Sequence, residues 1–417
     1  MSAETLQIDS LGAQGDGVAH PEGATVFVPF TLPKEEAKVA RVKDQATLIS
    51  LMSAAPERIK PVCRHFGPDG DGGTCGGCSL QHAGDALYHP FKRDLVVQAL
   101  KSKGIEAEVA PLMTAAPGER RRVVLTAKRT DKGLLLGYNQ AQSHHVVDIS
   151  ECPIAVPGIV SRLGDLKRIA AVIVTGSDAA RLTVTETLNG LDVSIEGPKT
   201  VGSGQRRTLT DTLNSMQRIG RVSLNGEILL EPAKPLLDFS GARVVPSPGA
   251  FTQATVRAEE AMAELAIAHI GKAKRIADLF AGIGTFSLRL ARIGQVQAVE
   301  SDGNAVQALD HAWRNTQGLK QLTAEKRDLF RRPLMTQELN KFDAVVFDPP
   351  RAGAEAQCQE LARSKVKKIV AISCNPLTLA RDLAILTAGG YKVGTVTPID
   401  QFLWSHHVEA VATLTRR

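Results

Sequence analysis

The chain has 417 residues, of which 43% are hydrophobic and 23% charged, the composition of a globular protein with two or three domains. No apolar stretch approaches the roughly 20 residues that a membrane span needs, and the N-terminus lacks the charged-then-apolar pattern of a secretion signal, so we expect a cytoplasmic protein. The net charge of +6 favours a polyanionic partner, although an ordinary basic protein has the same balance. In a reducing compartment the six cysteines suit metal binding or catalysis better than disulfides.

The first predicted domain, residues 1–55, alternates polar and apolar residues, as in Leu6-Gln7-Ile8 and in residues 26–30. Glycine turns, among them Gly12 and Gly15, divide the segment into short strands. This pattern predicts a small β-barrel of the OB type. Such barrels often bind oligonucleotides, but a barrel without a ligand gives the same pattern.

Residues 56–92 are rich in Gly, Asp, His and Cys, so something other than a hydrophobic core must order them. Cys75-Gly76-Gly77-Cys78 lies here, with Cys63 upstream and Cys152 far downstream. Two cysteines on one tight turn and two from elsewhere can surround either a zinc ion or an iron-sulfur cubane. The spacing leaves both metals open, beside the alternative of reduced thiols without a metal.

The second predicted domain, residues 56–240, contains a helix at about 88–102 and then mostly short strands. Within it we interpret Arg120-Arg121-Arg122 as a solvated turn rather than a phosphate contact. After Pro248-Gly249 helices and strands alternate, which predicts βαβ units and a mainly parallel sheet in a third domain, residues 241–417.

A tight loop, Ala281-Gly282-Ile283-Gly284-Thr285, connects a predicted strand at 275–280 to a predicted helix at 286–293. Its glycines let a ligand lie against bare backbone at the helix N-terminus, so we expect a nucleotide-like ligand. The third glycine of the dinucleotide fingerprint is missing, which leaves the evidence for NAD incomplete.

Three acidic residues follow successive predicted strands of this sheet. Glu300 ends the strand at 296–299, where a carboxylate can accept both hydroxyls of a ribose, although a surface carboxylate is the plain alternative. Asp328 follows the third strand, within reach of an adenine amino group, and Asp348 follows the fourth. Together with these acids, the segment from Asp278 to Phe286 resembles the first motif of the S-adenosylmethionine-dependent methyltransferases.

Two target atoms are compatible with this domain. Asp348-Pro349-Pro350-Arg351 partly resembles the Asp-Pro-Pro-Tyr of amino-methylating enzymes, but Arg351 replaces the aromatic that stacks the base. Methylation of carbon 5 of a pyrimidine instead needs a thiolate that adds to carbon 6 and a base that removes the carbon 5 proton. Cys374, directly after the apolar run 369–373, and Glu409, near the C-terminus, provide such a pair. The plain alternatives are a buried thiol and a strand carboxylate.

Three motifs resemble those of the RNA 5-methyluridine methyltransferase family: Ser373-Cys374-Asn375-Pro376, His407-Val408-Glu409 and the Asp-Pro-Pro-Arg segment. The resemblance to this family extends over nearly the whole chain. The resemblance implies that Cys374 is the nucleophile and Glu409 the base. It also implies an α/β fold, with a Rossmann-like class I methyltransferase domain after an N-terminal OB-like barrel and a central, mostly β domain. It further implies a pocket for the donor, S-adenosyl-L-methionine, formed by Gln253, Phe280, Thr285, Glu300, Asp328 and Asp348.

Part of that family has an N-terminal TRAM domain, which binds RNA, and a [4Fe-4S] cluster on a Cys-Gly-Gly-Cys motif and a remote Cys-Pro. The resemblance therefore implies Cys63, Cys75, Cys78 and Cys152 as cluster ligands, with Cys63 separated by an unusual insertion at 68–74. We expect a monomer that forms 5-methyluridine in RNA, in 23S rRNA ahead of tRNA. The rival hypotheses are an amino-methylating enzyme and an RNA-binding protein with a vestigial methyltransferase fold.

Overall fold

A computed structural model describes residues 3–141, 143–198 and 200–416. Three large β-sheets follow one another along the chain, each with its own buried apolar core. Within these ranges no helix combines the length and the apolar character needed to cross a membrane. The mixed α/β architecture confirms the predicted fold class.

The N-terminal sheet is a half-barrel of six strands in the order β1-β5-β6-β4-β3-β2. Its core consists of alternate residues such as Leu6, Val28 and Val39, which the period of two places on one face. A short 3₁₀ turn lies at Pro21–Gly23. The strands are β1 Ala3–Gln7, β2 Ser10–Leu11, β3 Gly17–Ala19, β4 Val26–Val28, β5 Glu36–Val42 and β6 Gln45–Ser53.

The central sheet has seven strands in the order β13-β12-β11-β10-β7-β8-β9, and only β11 and β12 are parallel. Its strands are β7 Arg122–Thr130, β8 Gly133–Asn139, β9 Val146–Asp148, β10 Ala180–Thr187, β11 Gly190–Glu196, β12 Ile219–Leu224 and β13 Glu227–Leu230. The central domain contains more helices than its strand-rich sequence pattern predicts. They are α2 Pro157–Val160, α3 Leu163–Ile173 and α4 Ser203–Asn214, preceded by α1 Asp85–Lys101.

The C-terminal sheet has the order β18-β17-β16-β19-β20-β22-β21, in which β22 alone runs antiparallel to both of its neighbours. Its strands are β16 Arg275–Leu279, β17 Gln295–Glu300, β18 Leu322–Lys326, β19 Ala344–Phe347, β20 Lys368–Ser373, β21 Lys392–Ile399 and β22 Glu409–Thr415. A hairpin of β14 Leu237–Phe239 and β15 Ala242–Val244 precedes it. The helices are α5 Val256–Ile270, α6 Ser287–Leu290, α7 Gly303–Arg314, α8 Thr336–Leu339, α9 Glu355–Arg363 and α10 Pro376–Ala388.

Helix α1 connects the early part of the chain to the C-terminal sheet. Its apolar residues Val96, Ala99 and Leu100 share one core with strands β16, β19, β20 and β22. Cys358 on α9 lies fully buried in the same core, in agreement with its interpretation as a packing residue. The segment after α1 also bonds to β21, where the backbone amide of Ala110 donates to the carbonyl of Val396. The early chain is therefore fixed close to the carboxyl-terminal strands.

Candidate active site and cysteine cavity

The glycine loop lies where β16 ends, beside the carboxyl end of β17. The amide of Gly282 donates to Oε2 of Glu300 over 3.0 Å, and the amides of Ser301 and Asp302 donate to Oε1. Gly282 and Gly284 both have positive φ, which glycine adopts without strain. A Cβ added at Gly282 would meet no atom within 4 Å, so open space adjoins the loop beside the Glu300 carboxylate.

Two phenylalanines follow the ends of β16 and β18. Phe280 has a φ of 61°, rare for a bulky residue, and its ring centroid lies 5.4 Å from that of Phe330. Asp328 accepts a hydrogen bond from the amide of Phe330 and thereby fixes the short turn after β18. Thr285, in the glycine loop, is buried, and its carbonyl accepts from Arg289. The structure therefore places these predicted donor residues along three adjacent strand ends.

Cys374 follows β20 directly, and Asn375 and Pro376 begin α10 immediately after it. The Asn375 side chain accepts a hydrogen bond from the Leu377 amide and caps that helix. In the antiparallel pair of β20 and β22, Ser373 is opposite Ala410, so the next position along brings Cys374 opposite Glu409. The predicted nucleophile and base thus come together from residues 35 positions apart.

Burial and charge give this site unusual acidities. Burial raises the pKa of Cys374 to about 12, the carboxylates of Glu409 and Asp348 add to the rise, and the Arg351 guanidinium opposes it. Burial likewise raises the pKa of Glu409 to about 8 and that of Asp348 to about 7. Three acidic groups therefore share one poorly solvated space, where each disfavours the ionised form of its neighbours.

The two carboxylates are joined by two glutamine side chains. Gln253 donates through Nε2 to Oδ2 of Asp348 over 2.8 Å, and its Oε1 accepts from Nε2 of Gln401 over 2.9 Å. Gln401 also donates to Oε2 of Glu409 over 2.6 Å. The sequence pattern indicated Gln253 but assigned no role to Gln401. The signal available for Gln401 was its position eight residues before Glu409, at the start of the last loop.

Cys374 opens onto a cleft of ≈ 830 Å³ between the half-barrel, the cysteine-rich segment and the C-terminal sheet. Arg120, Arg351 and the aromatic residues Phe251 and Phe402 line it, together with His406 and His407. The Arg120 guanidinium lies 5.7 Å from the Phe402 ring centroid, and Phe251 is 67% exposed. A cleft with cationic and aromatic walls suits the phosphates and bases of a single-stranded nucleic acid.

The interpretation of Arg120-Arg121-Arg122 as a solvated turn was wrong. Arg121 is 5% exposed and forms ion pairs and hydrogen bonds in the interior, where it contacts the Glu259 carboxylate and the Gln253 carbonyl. Glu259 also pairs with Arg289, so one buried carboxylate satisfies two guanidinium groups. Arginine triplets look alike in sequence whether their partners are solvent or distant carboxylates, and here the partner is 138 residues away.

The four cysteines predicted as metal ligands line one cavity. Cys63, Cys75, Cys78 and Cys152 share it with apolar and aromatic neighbours that include Phe66, Tyr138, Ile149 and Ile154. Burial raises the pKa of Cys78 to about 12 and that of Cys75 to about 11, and the other thiols of the cavity contribute to both rises. The Tyr138 hydroxyl lies 3.9 Å from the Cys152 sulfur. Across the described ranges no group of three or more His, Cys, Asp or Glu side chains has the arrangement of a metal-ion site.

The cysteine-rich segment is bonded to the loop that precedes Glu409. The backbone amides of Ser79 and Leu80 both donate to the Trp404 carbonyl over 2.9 Å. From α1, the fully buried Lys92 donates to Asp400 and to the carbonyls of Phe402, Ser405 and His407, and Tyr88 donates to Asp400 over 2.7 Å. Sequence reasoning did not anticipate this anchor, because its two halves lie more than 300 residues apart.

Comparison with known proteins gives a consistent result. Residues 243–417 match the family model described as tRNA (uracil-5-)-methyltransferase. An uncharacterized RNA methyltransferase of Rhizobium meliloti is 65% identical over 99% of this chain and 100% of its own length. The 23S rRNA (uracil(1939)-C(5))-methyltransferase RlmD of Pectobacterium atrosepticum is 31% identical, covering 98% of this chain and 92% of its own.

A solved structure resembles the whole chain. The tRNA (uracil-54, C5)-methyltransferase of Pyrococcus abyssi, in complex with S-adenosyl-L-homocysteine, superposes with a TM-score of 0.76 at 24% sequence identity. The match covers 99% of each chain. It supports the architecture of all three sheets.

Proposed function

This chain belongs to the tRNA (uracil-5-)-methyltransferase family, and from that premise we propose that it makes 5-methyluridine in RNA through a covalent adduct of Cys374. The observation that carries the proposal is the register of β20 and β22, which sets Cys374 opposite Glu409 at the edge of the sheet where the glycine loop lies. An amino-methylating enzyme has no use for a thiol at this position. The chemistry of carbon 5 of uracil requires one.

The Cys374 thiolate adds to carbon 6 of the uracil, and the electron pair of the 5,6 double bond moves towards carbon 5 and the carbonyl at carbon 4. S-adenosyl-L-methionine, when bound, would supply the methyl group to carbon 5, its methyl–sulfur bond breaking to leave S-adenosyl-L-homocysteine. Glu409 then removes the carbon 5 proton, the double bond re-forms, and the carbon–sulfur bond breaks so that Cys374 leaves as a thiolate. Arg351 favours that thiolate, since its guanidinium opposes the rise in the pKa of Cys374.

The residues around the glycine loop fit the donor. The open space beside Gly282 permits close approach to the backbone, and Glu300 presents a carboxylate there for ribose hydroxyls. Phe280 and Phe330 offer apolar faces to an adenine, and Asp328 an acceptor for its amino group. Gln253, Thr285 and Asp348 complete the proposed set, and hydrogen bonds connect Gln253 and Asp348 through Gln401 to Glu409.

Cys63, Cys75, Cys78 and Cys152 are the proposed ligands of a [4Fe-4S] cluster. The donor set supports it, because four cysteine sulfurs in an apolar cavity match the ligation of such a cluster. A cluster supplies covalent anchors that order a segment lacking a core of its own. Iron and sulfide analysis after anaerobic purification separates this proposal from zinc.

The proposed substrate is 23S rRNA, with tRNA as the second candidate. The support for rRNA is the relative from Pectobacterium, which matches nearly the full length of both chains. The half-barrel is proposed as a TRAM domain that binds RNA, because Gln14, Pro29 and Thr47 belong to the same cleft wall as Cys374.

Release of tritium tests the proposed reaction. RNA transcribed with uridine tritiated at carbon 5 should lose one tritium to water for each methyl group gained, since Glu409 removes that hydrogen. Digestion to nucleosides and mass spectrometry should identify 5-methyluridine. Methyl transfer to a nitrogen, with tritium retained, would instead establish an amino-methylating enzyme. Fragments of 23S rRNA and whole tRNA, compared under the same conditions, decide between the two substrates.

A further inference from the structure

Gln401 contacts both sides of the candidate active site but takes no part in the reaction as set out above. Its side chain is 2% exposed, and every polar atom of its amide is engaged. Its position between the acids makes it the strongest unassigned group near Cys374.

One backbone amide fixes the orientation of the Gln401 side chain. The N–H of Ala254 donates to Oε1 of Gln401 over 2.9 Å, which turns the amide nitrogen towards the acids. That nitrogen carries two hydrogens and uses both, one to Glu409 and one to Oε1 of Gln253. Since Oε1 of Gln253 is thereby occupied as an acceptor, its own nitrogen faces Asp348. The bond from Ala254 therefore determines which atoms donate and which accept in the hydrogen bonds that connect Glu409 to Asp348.

The bond to Glu409 engages one oxygen of the carboxylate. Gln401 donates to Oε2, and among the described residues no hydrogen bond engages Oε1. The ionisable groups that face Glu409 are Asp348, after β19, and Cys374, after β20, and both become negative when they ionise. A neutral amide donor stabilises the ionised carboxylate without adding charge to this crowded site.

We propose that Gln401 is a positioning residue, which holds Glu409 by Oε2 so that Oε1 faces the carbon 5 proton, and which keeps Gln253 directed at Asp348. This inference rests on the proposed function, because it requires Glu409 to be the base. It adds a residue that the methyl transfer depends on but that touches neither RNA nor donor.

Gln401→Met tests the proposal, because methionine has a similar length but no amide. We expect kcat to fall about tenfold, the effect of losing one hydrogen bond to a charged group, and the KM for the methyl donor to rise as well, because Gln253 loses the bond that directs it. Removal of the carbon 5 proton slows, so a denaturation-resistant protein–RNA adduct accumulates. The inflection of the pH–rate profile moves to higher pH, because ionised Glu409 has lost a donor.

Gln357→Met is the matched control. Gln357 is equally buried, and its amide bonds only to the backbone of Leu334, over 2.9 and 3.1 Å. This variant should lose stability but keep kcat and the pH profile. Gln401→Asn, which retracts the amide by one methylene group, gives a second test if the methionine variant does not fold, and should show the same changes.

Unchanged kcat, adduct level and pH profile in both Gln401 variants would overturn the positioning role. The role would also be overturned if kcat fell in parallel with melting temperature in both Gln401→Met and Gln357→Met. That result would mean that Gln401 gives structural support alone. Glu409→Gln, measured under the same conditions, distinguishes failure of the proposed base from failure of the proposed role of Gln401. If it releases product freely, the proposed base is refuted and the role of Gln401 with it; if it traps the adduct, only the Gln401 variants decide.

Discussion

The molecule contains two partly buried thiol sites with the same raised pKa and opposite surroundings. Burial raises the pKa of Cys374 and that of Cys78 to the same value, about 12. Around Cys374 lie two carboxylates, a guanidinium and a wide cleft. Around Cys78 lie three more cysteines and apolar side chains. A raised pKa therefore does not distinguish a nucleophile from a metal ligand. The two proposed roles differ instead in the residues that surround each sulfur.

The neighbours differ in what they allow the sulfur to do. At Cys374 the proposed base, Glu409, lies across the strand pair and the cleft is open to a substrate, which suits the proposed bond to carbon that forms and breaks again. At the cysteine cavity four thiols line one apolar space, and the bonds of the proposed cluster would be permanent ones. Variants at both sites test this division, and the largest effect is expected at Cys374.

Cys374→Ala should abolish methylation, with a loss of at least about 10⁴-fold, the scale seen when an enzyme loses its nucleophile. Donor binding, measured by calorimetry, should persist because the proposed donor residues lie on other segments of the domain. Cys358→Ala, at a fully buried cysteine of the same domain, is the control and should keep its activity. Appreciable turnover by Cys374→Ala would remove the distinction between the two thiol sites.

Glu409→Gln should slow turnover about 10²- to 10⁴-fold, the usual contribution of a positioned base. The methylated adduct forms but cannot lose its carbon 5 proton, so a protein–RNA band should survive a denaturing gel. Glu231→Gln, at a carboxylate beside Arg221 in the central domain, is a suitable control. Rapid product release without any trapped band would assign the proton to another group.

The decay of the methylated adduct, followed in a single turnover, should become faster with pH between about 6 and 9, roughly tenfold per pH unit at the steepest point, because only ionised Glu409 can remove the carbon 5 proton. The sign follows from the raised pKa of Glu409, about 8, below which the carboxyl is protonated and inactive as a base. Asp348→Asn removes a charge that raises the pKa of Glu409 and of Cys374. The rate of the Asp348→Asn variant should therefore begin to rise at lower pH. A profile displaced to higher pH would contradict an effect of the Asp348 charge on the pKa of Glu409 and Cys374.

Cys78→Ser should have the smallest effect on the chemical step and a larger one on stability. Iron and sulfide content should fall together, and the melting temperature should drop by about 2–4 °C for each kcal/mol lost. Single-turnover methylation by the remaining folded protein should keep its pH profile. A Cys78→Ser enzyme with full iron content, or with the inactivity of Cys374→Ala, would contradict the division between the sites.

Much of the C-terminal domain follows from local sequence. The strand before Cys374, the glycine loop and the acid at the end of β17 each show their pattern within ten residues, and the structure places them at one sheet edge. Gln401 and the anchor of Lys92 on Asp400 lack such a pattern. The Ala254 and Gln253 partners of Gln401 and the Asp400 partner of Lys92 lie more than 100 residues away, which no period or spacing encodes. The buried Arg121 was mistaken for a solvated residue for the same reason.

The bonds from Ser79 and Leu80 to the Trp404 carbonyl also have a consequence during synthesis. Ribosomes add about 5–20 residues per second, so roughly 15–60 s separate the emergence of these two ends of one contact. The cysteine segment must spend that interval without the loop that finally rests on it, and its thiols are then most open to metal delivery and to oxidation. Loading of the proposed cluster can therefore begin while the polypeptide is still incomplete, before Glu409, the proposed base, has been synthesised.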